Sequence, residues 1–314
     1  MNHVSQRDVI FNRLYEIARA DRNTVIVAAD MSAPALDQFR IDMPQQFVNV
    51  GIAEQNAILI GSGLALEGKK VYVYAISPFI TLRCLENIRV SCLIQNIPLT
   101  ILGMGTGLSY CTDGPTHHLL EDVAVMRAFP CMRVVNLSDN QMASSYVDIS
   151  ARSKRGVLYI RMDKDCYPDV HTPGADYSRG FIRMRQGNDL MIAATGPMVH
   201  IALHIADVLA AQGISVGVMD VFEFPFDPDA FVSDVSGVKK LLTLEEHFLP
   251  GGMGSAICET LCDKGRYLPV KRVGLSMAQG YEPSYQYGGR EITRRHYGID
   301  QDLICRMASD YIKK

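Results

Sequence analysis

Residues 49–56 read NVGIAEQN, an apolar run that ends at Gly51 and sets one carboxylate, Glu54, in the opening turn of an apolar helix. Further along, residues 112–118 read TDGPTHH, which puts Asp113, His117 and His118 on a loop that glycine and proline keep from continuing as helix or strand. A carboxylate in a helix's first turn can share a proton with a ligand's ring nitrogen or serve the helix itself. A carboxylate beside two imidazoles can orient hydroxyl groups and carry protons near neutral pH. Two adjacent imidazoles make no metal site, so no zinc ligands are expected in this chain.

Each of these residues also has a structural reading. Gly51 as N-cap with Glu54 three residues on would form a capping box, with the acid favoured by the positive helix end. Neighbouring loop histidines are commonly surface groups or turn hydrogen-bonders. Spacing alone leaves both readings open.

The elements that would position these groups follow from periodicity. TVIVAAD (24–30), FVNV (47–50), KVYVYAI (70–76), LTILGMG (99–105), MRVVNLS (132–138) and VLYIRM (157–162) are short Val- and Ile-rich runs alternating with amphipathic stretches. This is the pattern of a parallel sheet covered by helices on both faces. The polar stretch 163–188, with Pro168, Pro173, Gly174 and Gly187, reads as an interdomain connection. DLMIAATG, ISVGVMDV, KKLLTLEE and VKRVGLS then predict a second, smaller sheet, with helices at 198–212 and 252–264. The expected organisation is a domain over 1–170, a linker over 171–187 and a domain over 188–314.

Composition bounds the function. The 314 residues are 48% apolar and 21% charged with net charge −3, and no run of one sign offers a footprint for nucleic acid or an anionic membrane. The N-terminus interleaves charges with its apolar residues and lacks a signal-peptide core, so a cytoplasmic protein is expected. Eight scattered cysteines, with no CxxC, read as reduced thiols, and Cys258 and Cys262 at helical spacing read as small buried apolar groups.

GIAEQN is followed by AILIGSGLALEGKKVYVYAISPF, and the DGPTHH loop by EDVAVMRAFPCMRVV. Together these segments resemble the pyrimidine-binding half of transketolases and deoxyxylulose phosphate synthases. EDVAVMRAFPCMRVV is similar to EDIALMRVLPNMTVI of split transketolases, which argues against the β subunits of 2-oxo acid dehydrogenases. TLEEHFLPGGMGSAICETL is similar to the strand and helix junction of the transketolase C-terminal domain. The resemblance implies an α/β fold of two three-layer domains. The first is a thiamine diphosphate-binding (pyrimidine) fold on a mostly parallel sheet; the second is the smaller transketolase C-terminal-like domain.

The resemblance also assigns roles. Glu54 would share a proton with the cofactor's aminopyrimidine nitrogen, favouring the tautomer that removes the proton from thiazolium C2. Phe79, in SPFITLRCLENIR, would stack on that ring, although a phenylalanine there is also a core residue. Leu82 stands where several transketolases have a second aromatic residue. Arg83 matches the arginine of patterns such as FATGRAWEQIR, or is solvated or paired with Glu86. Asp30, in AADMSAP, matches an aspartate near bound thiamine, or is a helix N-cap.

His117 and Asp113 would reach substrate hydroxyls, and His118 matches a second histidine of deoxyxylulose phosphate synthases. Arg161, in YIRMD, would grip an anionic group with its fork, although an arginine at the end of an interior strand is often structural. Two family anion contacts are missing: Ala35 stands for a serine and Gly105 for a histidine. His247 reads as a bonded structural histidine, and His296 and Tyr297 as part of a terminal helix.

No GDG motif for magnesium occurs. The resemblance therefore implies thiamine diphosphate and Mg2+ held jointly with an N-terminal, diphosphate-binding subunit, in an α2β2 heterotetramer that handles small sugars. The implied reaction is transfer of a two-carbon ketol unit from a ketose to an aldehyde. The alternatives are a deoxyxylulose phosphate synthase-like carboligase using pyruvate and a noncatalytic regulatory subunit.

Overall fold

β-Branched and aromatic residues fit a pleated surface covered on both sides, and the runs rich in them become the strands. In the computed structural model, which describes residues 4–31 and 33–313, β1 (Thr24–Ala28), β2 (Phe47–Asn49), β3 (Lys70–Ile76), β4 (Leu99–Met104), β5 (Met132–Asn136) and β6 (Val157–Met162) form one parallel sheet. The outermost ends of the two expected domains lie outside the described residues. The second sheet holds β7 (Phe181–Arg185), β8 (Leu190–Ala194), β9 (Val216–Val221), β11 (Leu241–Phe248) and β12 (Val270–Leu275), parallel except for β7 against β9. β10 (Glu223–Phe224) leaves the second half of the chain and pairs antiparallel with β5, giving the first sheet the order β10-β5-β6-β4-β3-β1-β2.

Two strands are not visible in the patterning. β7 sits inside the expected connection because Arg183 and Arg185 disguise it; they pair with Asp234 and Asp207. β10 is two residues long.

The period of two along β1 and β3 sorts side chains cleanly. Val25, Val27, Val71 and Val73 pack with Ala57 and Ile58 of the helix Glu54–Leu66, while Ile26, Ala28, Tyr72 and Tyr74 pack with Ile10, Phe11 and Leu14 of the helix Gln6–Ala20. The helix Glu54–Leu66 lies unusually close to the sheet: a Cβ at Gly61 would come 2.7 Å from Val73 Cγ2. That close seat fixes the height of the helix's first residue, Glu54.

A further core lies between β8, β9 and β11 and the helices Met198–Ala210 and Gln301–Lys313. The expected helix at 252–264 is Met253–Asp263, on which Cys262 is exposed and Cys258 half-buried rather than both packed inside. Lying on the outer face of an amphipathic helix explains the difference. His296 and Tyr297 end the helix Arg290–Tyr297, which a left-handed Gly298 separates from the last one. Among the described residues, no helix is long and apolar enough to cross a membrane.

Candidate functional site

The C-terminal ends of parallel strands are where loops can gather functional groups, and the predicted residues lie after β1, β2, β3 and β4, with Arg161 one residue before the end of β6 itself. Glu54 is the first residue of the helix after β2 and only 5% exposed. The capping-box reading fails: the N-cap is Ala53, with no side-chain cap bond, so the Glu54 carboxylate is not spent on the helix. It accepts instead from Arg83 Nη1 at 2.7 Å. Arg83 pairs with Glu54, not with Glu86.

The Arg83 guanidinium lies over the Phe79 ring, 4.4 Å from its centroid. Phe79 in turn meets the His117 ring edge-on at 5.2 Å. Thus Glu54, Arg83, Phe79 and His117, drawn from three separate segments, form one continuous line of contacts. His117 Nδ1 is 3.0 Å from Thr116 Oγ1, and Asp113 accepts from Thr112 Oγ1 at 3.2 Å on the exposed side of the loop.

Tyr110 is a neighbour that the motif reading missed. Its ring is 5.8 Å from that of His117, and Lys164 Nζ stands 4.8 Å from the Tyr110 centroid. It also fills the space above Gly105: with φ of +84° at this glycine, a Cβ would fall 1.9 Å from Tyr110 Cε2. An aromatic residue in GLSYCTDG beside a histidine motif was the available signal.

The 107–120 loop is braced from the second domain. Gly107 and Leu119 exchange backbone hydrogen bonds of 3.1 and 3.0 Å, Leu108 N donates to Glu246 Oε2 at 3.0 Å, and Phe248 N donates to Leu120 O at 2.8 Å. His118 points inward from this brace, 5% exposed, with neither ring nitrogen hydrogen-bonded to protein. Burial lowers its pKa, so the ring is neutral at physiological pH. His247 is buried and bonded, with Nδ1 2.5 Å from Phe248 O.

Asp30 is exposed and lies to one side. It has φ of +48°, its N–H donates to Asn49 Oδ1 at 3.3 Å, and the same Asn49 oxygen accepts from Gly51 N at 2.9 Å. Asn49 therefore links the Asp30 turn to the turn that delivers Glu54. Asp30 is not the cap of the following helix, where Ala33 takes that place.

Arg161 is the second-last residue of β6. It is 3% exposed, with Nε 2.7 Å from Asp122 Oδ2 and Nη2 3.0 Å from Asp122 Oδ1. Tyr159 completes the cluster by donating to Asp122 Oδ2 at 2.9 Å.

Chemically, Glu54 and Phe79 already share one flat cation. A flat nitrogen heterocycle offers the same two features, an edge for the carboxylate and a π face for the phenyl ring, so these side chains fit such a ligand. Among the described residues, no group of three or more His, Cys, Asp and Glu side chains is arranged to hold a metal ion.

Comparison with known proteins gives the family. Residues 2–170 match the family described as transketolase, pyrimidine binding domain, and residues 181–302 that described as transketolase, C-terminal domain. The chain is 32% identical to one of the subunits of an apulose-4-phosphate transketolase of Phocaeicola vulgatus, across 100% of this chain and 99% of that one. It is 30% identical to a 1-deoxy-D-xylulose-5-phosphate synthase of Heliobacterium modesticaldum over 96% of its own length, but spans 46% of that protein. A solved structure titled "Split gene transketolase, inactive beta4 tetramer" superposes with a TM-score of 0.85 at 27% identity, covering 99% of both chains.

Proposed function

Because this chain belongs to the transketolase family, as the C-terminal subunit of a split member, we propose that it builds the pyrimidine half of a thiamine diphosphate site whose other half a separate N-terminal subunit supplies. The assembled enzyme transfers a two-carbon ketol unit from a ketose to an aldehyde. The observation that carries this reading is the convergence of Glu54 and Phe79 on one flat cationic group beside His117.

When bound, thiamine diphosphate supplies the nucleophilic carbon. Glu54, buried and uncommitted to its helix, holds a proton at the aminopyrimidine nitrogen. Phe79 would hold the ring face, Arg83 borders the same site, and Asp30 would bear on the cofactor from the turn that Asn49 links to Glu54's. His117 and Asp113 orient substrate hydroxyls, and positioning of that kind shortens the search for a reactive geometry. His118, neutral beneath them, donates or accepts as the bound sugar requires. Arg161 reaches an anionic group on the sugar by exchanging Asp122 for it.

The diphosphate and Mg2+ ligands belong on the partner. A full-length relative that is itself only one subunit of its transketolase, and a split-gene chain whose own tetramer is inactive, both support an active α2β2 complex.

The test is reconstitution. The chain is mixed with its N-terminal partner, Mg2+ and thiamine diphosphate, and ketol transfer from a ketose to an aldehyde is followed by coupled assay. Glu54→Gln is expected to lower kcat by about 10²- to 10⁴-fold. Turnover independent of thiamine diphosphate, or an undiminished Glu54→Gln complex, overturns the proposal.

A further inference from the structure

Resting on that reading of the site, we infer that Arg83 is a molecular placeholder for the aminopyrimidine ring: in the chain alone its guanidinium takes the ring's two contacts, and cofactor binding is an exchange in which it withdraws.

Three observations carry this. Glu54 and Phe79 come from different elements, yet one side chain satisfies both, with Nη1 2.7 Å from Glu54 Oε2 and Cζ 4.4 Å from the Phe79 centroid. The guanidinium and an aminopyrimidine are alike in what matters there: each is flat, each meets the carboxylate through an edge nitrogen, the pyrimidine's once it carries the shared proton, and each can lay a face against a phenyl ring. The two partners are unequally buried. Glu54 is 5% exposed, whereas the Arg83 side chain is 47% exposed and open to withdrawal into water.

The asymmetry explains what Arg83 does. A buried carboxylate without a partner pays desolvation. Arg83 keeps Glu54 hydrogen-bonded and oriented until a ligand arrives. A half-exposed ion pair is worth little, so the exchange is cheap for a ligand that replaces both contacts. A ligand that offers only an aromatic face, or only a donor, replaces one and leaves the other unmet. Arg83 is thus a positioning residue that also sets selectivity for a flat heterocycle with an edge donor. Its backbone is held in place, since the Arg83 carbonyl accepts from Gln55 Nε2 at 3.3 Å, so the side chain can move without moving the turn.

The test compares the reconstituted complex with Arg83→Ala and Arg83→Gln, titrating thiamine diphosphate by calorimetry and following association by stopped flow. Removing the placeholder is expected to tighten binding about three- to tenfold, the range of a half-exposed ion pair plus a cation–π contact, and to raise the association rate. Salt screens the wild-type pair, so the affinity gap between wild type and Arg83→Ala narrows as ionic strength rises. In the chain alone, the Arg83 Nε–H resonance should move in Glu54→Gln. Weaker cofactor binding in both variants overturns the inference while leaving the proposed function intact. Absence of thiamine diphosphate binding in every form overturns the function, and the inference with it.

Discussion

Arg290 donates to both carboxylate oxygens of Asp163, Nη1 to Oδ1 and Nη2 to Oδ2, each at 2.8 Å. Asp163 directly follows β6, and the same guanidinium bonds Glu246 on β11 at 2.5 and 3.1 Å. One cation therefore ties the first sheet to the second and, through Glu246 and Leu108, to the loop that carries His117.

Arg290→Ala leaves Asp163 and Glu246 as buried carboxylates with a lost counterion, at a cost of about 3–5 kcal/mol. The urea midpoint should fall accordingly, and a midpoint unchanged from wild type would refute the clamp. A pH limb follows. Burial alone would push the Glu246 carboxyl up, but the charges of Arg290 and Arg294 outweigh it and hold the group well below the usual range. A depressed carboxyl stabilises the fold above its unfolded value of roughly 4.3, and that contribution is lost as pH falls toward the folded value. Glu246→Gln should have a flatter acid limb.

A second joint titrates in the opposite direction. His171 Nδ1 is 3.0 Å from Asp139 Oδ2 and Nε2 is 3.5 Å from Asp220 Oδ2, with Asp169 also acting on the ring. Burial opposes the charged imidazole, but the Asp139 hydrogen bond and the Asp220 charge prevail and raise its pKa. Asp220 itself is pushed up to about 7, chiefly by burial. A raised imidazole contributes stability that is complete below its unfolded value of roughly 6.5 and is lost as pH rises through the folded value. A raised carboxyl favours its neutral form and loses ground in the same direction. Chemical denaturation at pH 6, 7.5 and 9 should therefore give falling midpoints for wild type and a shallower fall for His171→Asn. Parallel curves would refute it.

Gly105 and Tyr110 are coupled through space. A non-glycine residue in the left-handed region costs roughly 1–2 kcal/mol, and at position 105 its Cβ would also strike the Tyr110 ring. Gly105→Ala should lose more than the backbone cost alone. Adding Tyr110→Ala should recover the steric part, giving a favourable coupling of about 0.5–3 kcal/mol in a double-mutant cycle. Strict additivity would mean that the loop adjusts freely around the new methyl group.

How much of this is legible in the residues varies by element. The six strands of the first sheet from β1 to β6 are runs whose β-branched content and flanking glycines announce them, and they appear where periodicity puts them, trimmed by at most two residues. β7 escapes because an arginine at every second place, Arg183 and Arg185, reads as polar linker. β10 escapes because two residues carry no period, and its pairing with β5 is a tertiary fact. At the site, Glu54 is visible as a motif, but its freedom from a capping role is not, since that depends on Ala53 taking the N-cap. Arg83 has two candidate acids: Glu86 is near in sequence, whereas Glu54 is near in space. Tyr110 and Asp122 are silent because their importance comes from what folds against them.

The Asp122 pair with Arg161 makes two roles separable. Asp122→Ala strands a guanidinium that is 3% exposed and removes the acceptor of Tyr159, so a loss of about 3–5 kcal/mol is expected. Replacing both charges at once, as Arg161→Met with Asp122→Leu, removes the desolvation of two ions together with their attraction, and such exchanges are often neutral or stabilising. The double variant should therefore recover the part of the lost stability owed to the stranded guanidinium, but not the part owed to Tyr159, in urea titrations. Kinetics of the reconstituted complex then decide what else Arg161 does. If its fork also takes an anionic group on the sugar, the stable double variant loses kcat/KM for a phosphorylated acceptor by about tenfold or more, the worth of a charge-assisted contact, while a neutral aldehyde such as glycolaldehyde is spared. An equal change for both acceptors would confine Arg161 to holding β6 against the helix Asp122–Met126.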